Sequence, residues 1–226
     1  SQTAFPYLGV REGRFAGIAA RIMRVGFVGE LGYEIHVATD SAAHMWNAIM
    51  AAGAAYGIRP FGVEAQRLLR LEKGHFIVGQ DSDGLTNPFE AGMAWAVKMD
   101  KPFFVGQRSL KFLKARAPHR KLVGFTIDAV TDGAVPQESH LIIRNGTIAG
   151  RVTSVAWSPT LGKQIGLAMV ALDMAKTGTR FFIRVDGNRM LEAQVAALPF
   201  YDPEGERQIP GGGSAEQRSP VKETAP

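Results

Sequence analysis

The sequence predicts an α+β chain, an α/β part followed by a small all-β part, and three observations carry that prediction. Apolar residues alternate with a period of two through much of 10–37, and they recur at helical spacing over 42–55 and 63–73. After residue 121, short β-rich runs alternate with turn dipeptides, the pattern of a small barrel or sandwich. A chain of 226 residues that is 46% hydrophobic has enough apolar surface for one large or two small domains.

Taken in order, Ile18, Ala20 and Ile22 alternate, and Val25 and Phe27 continue with one change of phase, so residues 10–37 read as strands punctuated by Gly13 and Gly17. Thr39, Asp40 and Ser41 offer N-cap oxygens ahead of a helix over 42–55, on which Met45, Trp46, Ile49 and Met50 share a face. A second helix is predicted over 63–73, with Leu68, Leu69 and Leu71 inward and Gly74 as its C-terminal stop. Glycines and Pro88 break residues 76–104, where Trp95, Val97 and Met99 alternate as a short strand. Residues 107–115 form a short helix with Leu110 and Leu113 inward and Arg108, Lys111 and Lys114 outward. The β-rich runs are 122–127, 141–144, 150–157, 166–170, 180–185 and 190–196, with Asn145-Gly146 and Asp186-Gly187 as hairpin turns. The expected organisation is a domain over 1–117, a barrel domain over 118–203 and a polar tail over 204–226 that includes Gly211-Gly212-Gly213.

Composition excludes several classes of function. Cysteine is absent, which removes disulfides, thiolate metal sites and thiol nucleophiles and leaves the compartment open, with cytoplasm as the default. No window approaches the ~18 consecutive apolar residues of a membrane span, and no leader pattern opens the chain, so neither membrane nor secretion is expected. The first methionine is Met23, within a predicted strand, and the chain is expected to be a fragment of a longer polypeptide. His36, His44, His75, His119 and His140 lack metal-ligand spacing, so no metal site is expected. Asp81-Ser82-Asp83-Gly84 resembles part of a calcium loop but lacks the later acids, and a polar turn fits it better. Ser154, Ser158 and Thr160 have no partnered histidine.

The net charge is +5, and Lys101, Arg108, Lys111, Lys114, Arg116, Arg120 and Lys121 occur without an intervening acid. Phe103, Phe104 and Phe112 in this stretch read as packing residues rather than a stacking platform, so no nucleic-acid partner is expected. Two readings stand for the stretch, a solvated linker helix or a site for the anionic tail of a small molecule. No Gly-x-Gly-x-x-Gly or Walker pattern is present, which argues against a self-contained flavin, nicotinamide or nucleotide site.

The segment Gly26-Phe27-Val28-Gly29-Glu30-Leu31-Gly32-Tyr33-Glu34-Ile35 brackets a carboxylate with glycines, which predicts Glu30 at the tip of a tight turn between two strands. A carboxylate so held accepts two N–H donors from one edge of a guanine-like or pteridine ring; a solvated turn glutamate is the plainer alternative.

Several blocks go further. Residues 27–35, Pro60-Phe61-Gly62-Val63-Glu64-Ala65, Leu69-Arg70-Leu71-Glu72-Lys73-Gly74, Val78-Gly79-Gln80-Asp81 and Phe104-Val105-Gly106 resemble the aminomethyltransferase (glycine cleavage T protein) family. Gly150-Arg151-Val152-Thr153-Ser154, Ser158-Pro159-Thr160-Leu161 and Pro199-Phe200-Tyr201 look like the family's C-terminal barrel, and order and spacing hold from about residue 5 to 208. Within the family, residues 69–74, 77–83 and Trp95-Ala96-Val97 resemble most the folate-binding C-terminal half of the sarcosine oxidase α subunit.

The resemblance implies a T-protein-like fold: a ferredoxin-like α/β folate-binding part and a small barrel, with an N-terminal half of the same polypeptide upstream. It implies tetrahydrofolate as the bound cofactor, contacted by Glu30, Tyr33, Gln66 and Tyr201, with Glu30 on the pterin ring. Gln66 stands where the T proteins carry a folate-binding arginine. The family's catalytic aspartate would precede Ser1, so no catalytic residue is expected here and the segment alone should be inactive. FAD, FMN or NAD is expected only in missing parts or partner subunits of an oxidase. The function implied is transfer of the carbon of an oxidised N-methyl amine to tetrahydrofolate; a glycine cleavage aminomethyltransferase and a non-catalytic folate-binding module are the alternatives.

Overall fold

The computed structural model describes residues 4–128 and 135–210. They fall into two compact units, one of residues 4–66 with 204–210 and one of residues 67–128 with 135–203.

In the first unit, β1 (Val10–Phe15), β2 (Ile18–Met23) and β3 (Glu34–His36) form an antiparallel sheet in that order. Ala16 and Gly17 take left-handed φ of 48° and 78° and join β1 to β2 by a two-residue turn with Phe15 opposite Ile18. Ala20 and Ile22 of β2 are buried while Ala19 and Arg21 are exposed, as the alternation requires. Val25 and Phe27, which continue the alternation in the sequence, lie outside any strand, because residues 24–33 form a long connection to β3. α1 (Ala42–Gly53) buries Met45 and half-buries Ile49 and Met50. Trp46, expected on the same face, is 56% exposed, since the step of one residue rotates it away from Met45. The Ser41 hydroxyl donates to Asp40 and makes no capping bond, because a 3-10 turn, Thr39–Ser41, leads into the helix. Tyr7, Leu8 and Val10 are exposed apolar residues ahead of and within β1.

Residues 204–210, which composition alone assigns to a polar tail, belong to this unit. They contain a 3-10 turn, Glu206–Gln208, whose backbone is bonded to Leu31 and Arg24. Residues 211–226, with the Gly211-Gly212-Gly213 run, lie outside the described residues.

The second unit is a closed antiparallel barrel of β4 (Arg120–Ile127), β5 (Leu141–Arg144), β6 (Thr147–Ser158), β7 (Lys163–Ala171), β8 (Arg180–Val185) and β9 (Arg189–Ala196), in the order β4-β7-β6-β5-β8-β9. Every predicted β-rich run is one of these strands. Asn145 and Gly146, at φ 51° and 75°, form the predicted hairpin turn and set Arg144 opposite Thr147. Phe125, Ile142, Val152, Ala168, Phe181, Ile183 and Val195 fill the interior.

β7 is buried on both faces. Its Ala168 and Val170 face the interior, while Ile165, Leu167 and Met169 face a second cluster with Leu71 and Leu122. A strand between two cores reads as an unbroken apolar run, as Ile165 to Val170 does. Leu71 belongs to α2 (Val63–Glu72), which passes from the first unit into the second. Gly74, at φ 70°, ends it, and the His75 amide donates back to the Arg70 carbonyl at 2.8 Å.

Two local expectations fail. Trp95, Val97 and Met99 form no strand: Ala94–Ala96 is a 3-10 turn, and alternation without a pairing strand carries no register. Phe103 and Phe112 do not pack; they are 79% and 65% exposed, and α3 (Gln107–Lys114) buries no residue, although Arg108, Lys111 and Lys114 face outward as expected.

Candidate functional site

Glu30 lies in the 24–33 connection rather than at the tip of a tight turn, and the glycines around it explain why. Gly29 takes a left-handed φ of 81°. Gly26 and Gly32 serve a different need: a Cβ on Gly26 would lie 2.6 Å from the Glu30 carbonyl oxygen, and one on Gly32 2.9 Å from that of Val25. The loop therefore folds its own backbone tightly together, which fixes the Cα of Glu30.

The carboxylate is about two-fifths exposed, and its Oε1 accepts a hydrogen bond from Nε of Arg207. Its Oε2 has no polar partner among the described residues. The Leu31 amide donates to the Arg207 carbonyl at 3.0 Å, so backbone and side chain of Arg207 hold the same loop. The buried Arg24 secures the neighbouring peptide: Nη2 donates to Gln208 O at 3.0 Å and Nη1 to Phe5 O at 2.7 Å. Tyr33, on the same connection, is half exposed and packs at 46° against Phe5 with ring centroids 5.7 Å apart.

Of the four residues expected at the folate, Glu30 and Tyr33 thus share one loop of the first unit. Gln66 is exposed on the first-unit part of α2. Tyr201 belongs to the second unit, half-buried, with its amide donating to the Glu72 carbonyl at 3.0 Å. Two depressions on the barrel, one lined by Arg180, Glu192 and Gln194 and another by Arg120, Arg151 and Met169, contain none of the four.

The second unit holds a buried polar cluster that sequence reasoning did not find. Asp81, placed in a polar turn by sequence, is fully buried and accepts from Arg70 Nη1 at 2.7 Å, the Ile77 amide at 2.9 Å, and the Thr153 and Ser154 hydroxyls at 2.7 and 2.6 Å. Arg70 Nη2 donates to Ser154 Oγ at 2.7 Å. Nearer the surface, Glu138 accepts from Arg67 at 2.7 Å and from Gln80 at 2.8 Å. Glu72 accepts from the Ser158 hydroxyl at 2.5 Å, and Lys73 pairs with Asp202 at 2.9 Å. These serines are committed to carboxylates, which is a structural use rather than a nucleophilic one. The signal available in the sequence was the alternation Leu69-Arg70-Leu71-Glu72, which puts charges on opposite sides of a helix end.

Asp83 carries a strongly perturbed carboxyl. Hydrogen bonds from Arg120 and then Thr86 hold its carboxyl far below the usual carboxylate range, and Asp83 in turn raises the pKa of Arg120. The pair joins the 81–90 loop to β4. Among the described residues, no group of three or more His, Asp or Glu is placed to hold a metal ion, and no helix is long and apolar enough to cross a membrane.

Comparison with known proteins places this architecture. Residues 1–101 match the family model described as the GCVT N-terminal domain, and residues 120–202 match the glycine cleavage T-protein C-terminal barrel domain. An aminomethyltransferase of Halothermothrix orenii is 42% identical over 188 residues, covering 83% of this chain and 52% of that protein. The aminomethyltransferase of Bacillus subtilis is 36% identical over 197 residues, covering 87% of this chain and 53% of its own. The crystal structure of the glycine cleavage system aminomethyltransferase T from Bartonella henselae shares the fold, with a TM-score of 0.77, 24% identity, and coverage of 87% of this chain and 53% of that one. The chain spans about half the length of the curated relatives it matches. With both halves of the chain matched by domains of one kind, in the order that the sequence blocks follow, the chain belongs to the aminomethyltransferase (glycine cleavage T-protein) family.

Proposed function

We propose that this chain supplies the latter, folate-binding part of a tetrahydrofolate-dependent one-carbon transferase, in which Glu30 accepts hydrogen bonds from the N–H edge of the pterin ring. The observation that carries the reading is the state of that carboxylate: a rigid loop presents it to solvent with Oε1 held and Oε2 open. An ionised carboxylate only accepts, and a pterin edge offers paired N–H donors, so the two are complementary. Tyr33 would add an apolar wall on the same loop, while Gln66 and Tyr201 are further proposed contacts.

Glu30 would orient the ring rather than exchange protons. The unit would accelerate transfer by holding the folate nitrogen against a one-carbon electrophile while excluding water. The carbon donor, as the relatives' names favour, would be the aminomethyl group handled by glycine cleavage aminomethyltransferases. A second reading, a sarcosine oxidase type in which a flavin elsewhere generates the iminium, is favoured by Gln66 in place of an arginine and by the resemblance over residues 69–74, 77–83 and 95–97. Feeding the full-length protein an aminomethyl-lipoyl carrier or sarcosine with an oxidant separates the two.

The folate reading itself is tested by calorimetry of the full-length protein with tetrahydrofolate. Glu30→Gln, which keeps the shape and removes the charge, is expected to weaken binding by about tenfold or more, the scale of one charge-assisted hydrogen bond. Equal affinities in the two proteins would remove Glu30 from the site.

A further inference from the structure

We propose that Arg207 is the positioning residue of the folate site: it anchors one oxygen of Glu30 so that the other is aimed, already ordered, at the ligand. The inference rests on the reading of Glu30 as a pterin acceptor, and it adds a residue that lies far away in the sequence, 177 positions on.

Three observations within the first unit carry it. Arg207 Nε reaches only Oε1 of Glu30, leaving the carboxylate a free oxygen and lone pairs on the exposed side. A bidentate clasp would have consumed both oxygens. The peptide around Arg207 is itself fixed: its carbonyl accepts from the Leu31 amide at 3.0 Å, and the next carbonyl, of Gln208, accepts from the buried Arg24 at 3.0 Å. Gly205, left-handed at φ 70°, turns the chain into the short 3-10 segment from which the side chain reaches Glu30. An unanchored glutamate on an exposed loop distributes over several rotamers, and the ligand must then bear the cost of selecting one. Arg207 removes that cost before the ligand arrives.

The full-length protein, titrated calorimetrically with tetrahydrofolate, tests this with Arg207→Gln, Arg207→Lys, Glu30→Gln and the double variant Glu30→Gln/Arg207→Gln. Arg207→Gln is expected to raise Kd about fivefold to tenfold, the scale of the cost of immobilising one rotamer-rich side chain, while Arg207→Lys, which keeps the charge, recovers part of the loss. With Glu30 already changed to Gln, adding Arg207→Gln is expected to cost less than twofold, because the residue it serves is gone. Circular dichroism melts establish that each variant is folded. Tighter binding by Arg207→Gln would make Arg207 a competitor for Glu30 and overturn the proposal, as would additive losses in the double variant or no loss in Arg207→Gln while Glu30→Gln is weakened. An unchanged affinity in Glu30→Gln removes the folate reading of Glu30 itself, and the proposal falls with it.

Discussion

Removing the Asp81 carboxylate perturbs the second unit severely while leaving its apolar core intact. Asp81 accepts four hydrogen bonds, from Arg70, the Ile77 amide, Thr153 and Ser154, and both it and Arg70 are shielded from water. In Asp81→Ala the Arg70 guanidinium keeps its bonds to His75 O and Ser154 Oγ but loses its counter-charge. Stranding one member of a buried pair costs about 3–5 kcal/mol. Domain stabilities are about 5–15 kcal/mol, so the change removes a large fraction of the total. At about 2–4 °C per kcal/mol, the melting temperature should fall by roughly 6–20 °C. Urea unfolding followed by Trp157 fluorescence, in a Trp46→Phe/Trp95→Phe background, reads the β6 environment directly. The double change Arg70→Met/Asp81→Leu, which removes both charges and keeps the volume, should restore most of the loss. A loss below about 1 kcal/mol in Asp81→Ala, or a double variant as unstable as the single one, would refute the argument that charge stranding sets the cost.

Other perturbations have equally definite outcomes. Asp83 has a depressed pKa in the folded chain, so it binds fewer protons there than when unfolded; its contribution is complete above the ordinary value near 3.8 and is lost as pH falls through the depressed one. Asp83→Asn should therefore destabilise by no more than about 1 kcal/mol at neutral pH, the pair being partly exposed, and should flatten the acid limb of a pH–stability curve. Gly166→Ala would place a Cβ 2.3 Å from the Phe125 ring and 2.5 Å from the Ser154 carbonyl oxygen, and should cost about 2 kcal/mol or more in urea. Combining it with Phe125→Leu should return part of that, unless the Ser154 backbone is the harder obstacle.

The barrel was legible because its information is local. Alternation in 180–185 and 190–196 and the Asn145-Gly146 dipeptide each state their structure within a few residues. Glu30 was legible as a presented carboxylate but not as an anchored one, because its partner Arg207 lies in a segment whose composition reads as tail. The glycines beside it have the sequence pattern of turn formers, whereas Gly26 and Gly32 answer to a close approach of backbone that only three-dimensional structure reveals. Asp81 does lie in a turn, but its burial was illegible for the same reason: Arg70 is near in sequence, whereas Thr153 and Ser154 are 72 and 73 residues away. The alternation of Trp95, Val97 and Met99 gave a false strand because periodicity states which face is apolar, not whether a neighbour exists to pair with.

The block Leu69 to Gly74 helped to reveal the family, yet its charges are spent inside the fold. Arg70 binds Asp81 and Ser154, Glu72 binds Ser158, and Lys73 binds Asp202, so three polar side chains at and just past one helix end reach three different segments of the second unit. Apolar packing of Leu71 against Ile165, Leu167 and Met169 tolerates some rotation of the helix, because dispersion and burial have little directional preference. Three buried polar pairs do not, since a turn of one residue would strand several charges in the interior at once. The charged motif therefore sets the rotation and depth of α2 rather than the chemistry. A motif that identifies a family need not carry the proposed ligand contact: Glu30, in the other unit, is the acceptor proposed for folate, so on that proposal a substitution in Leu69 to Gly74 that impairs folate binding should also lower the stability of the barrel unit, whereas Glu30→Gln should separate the two.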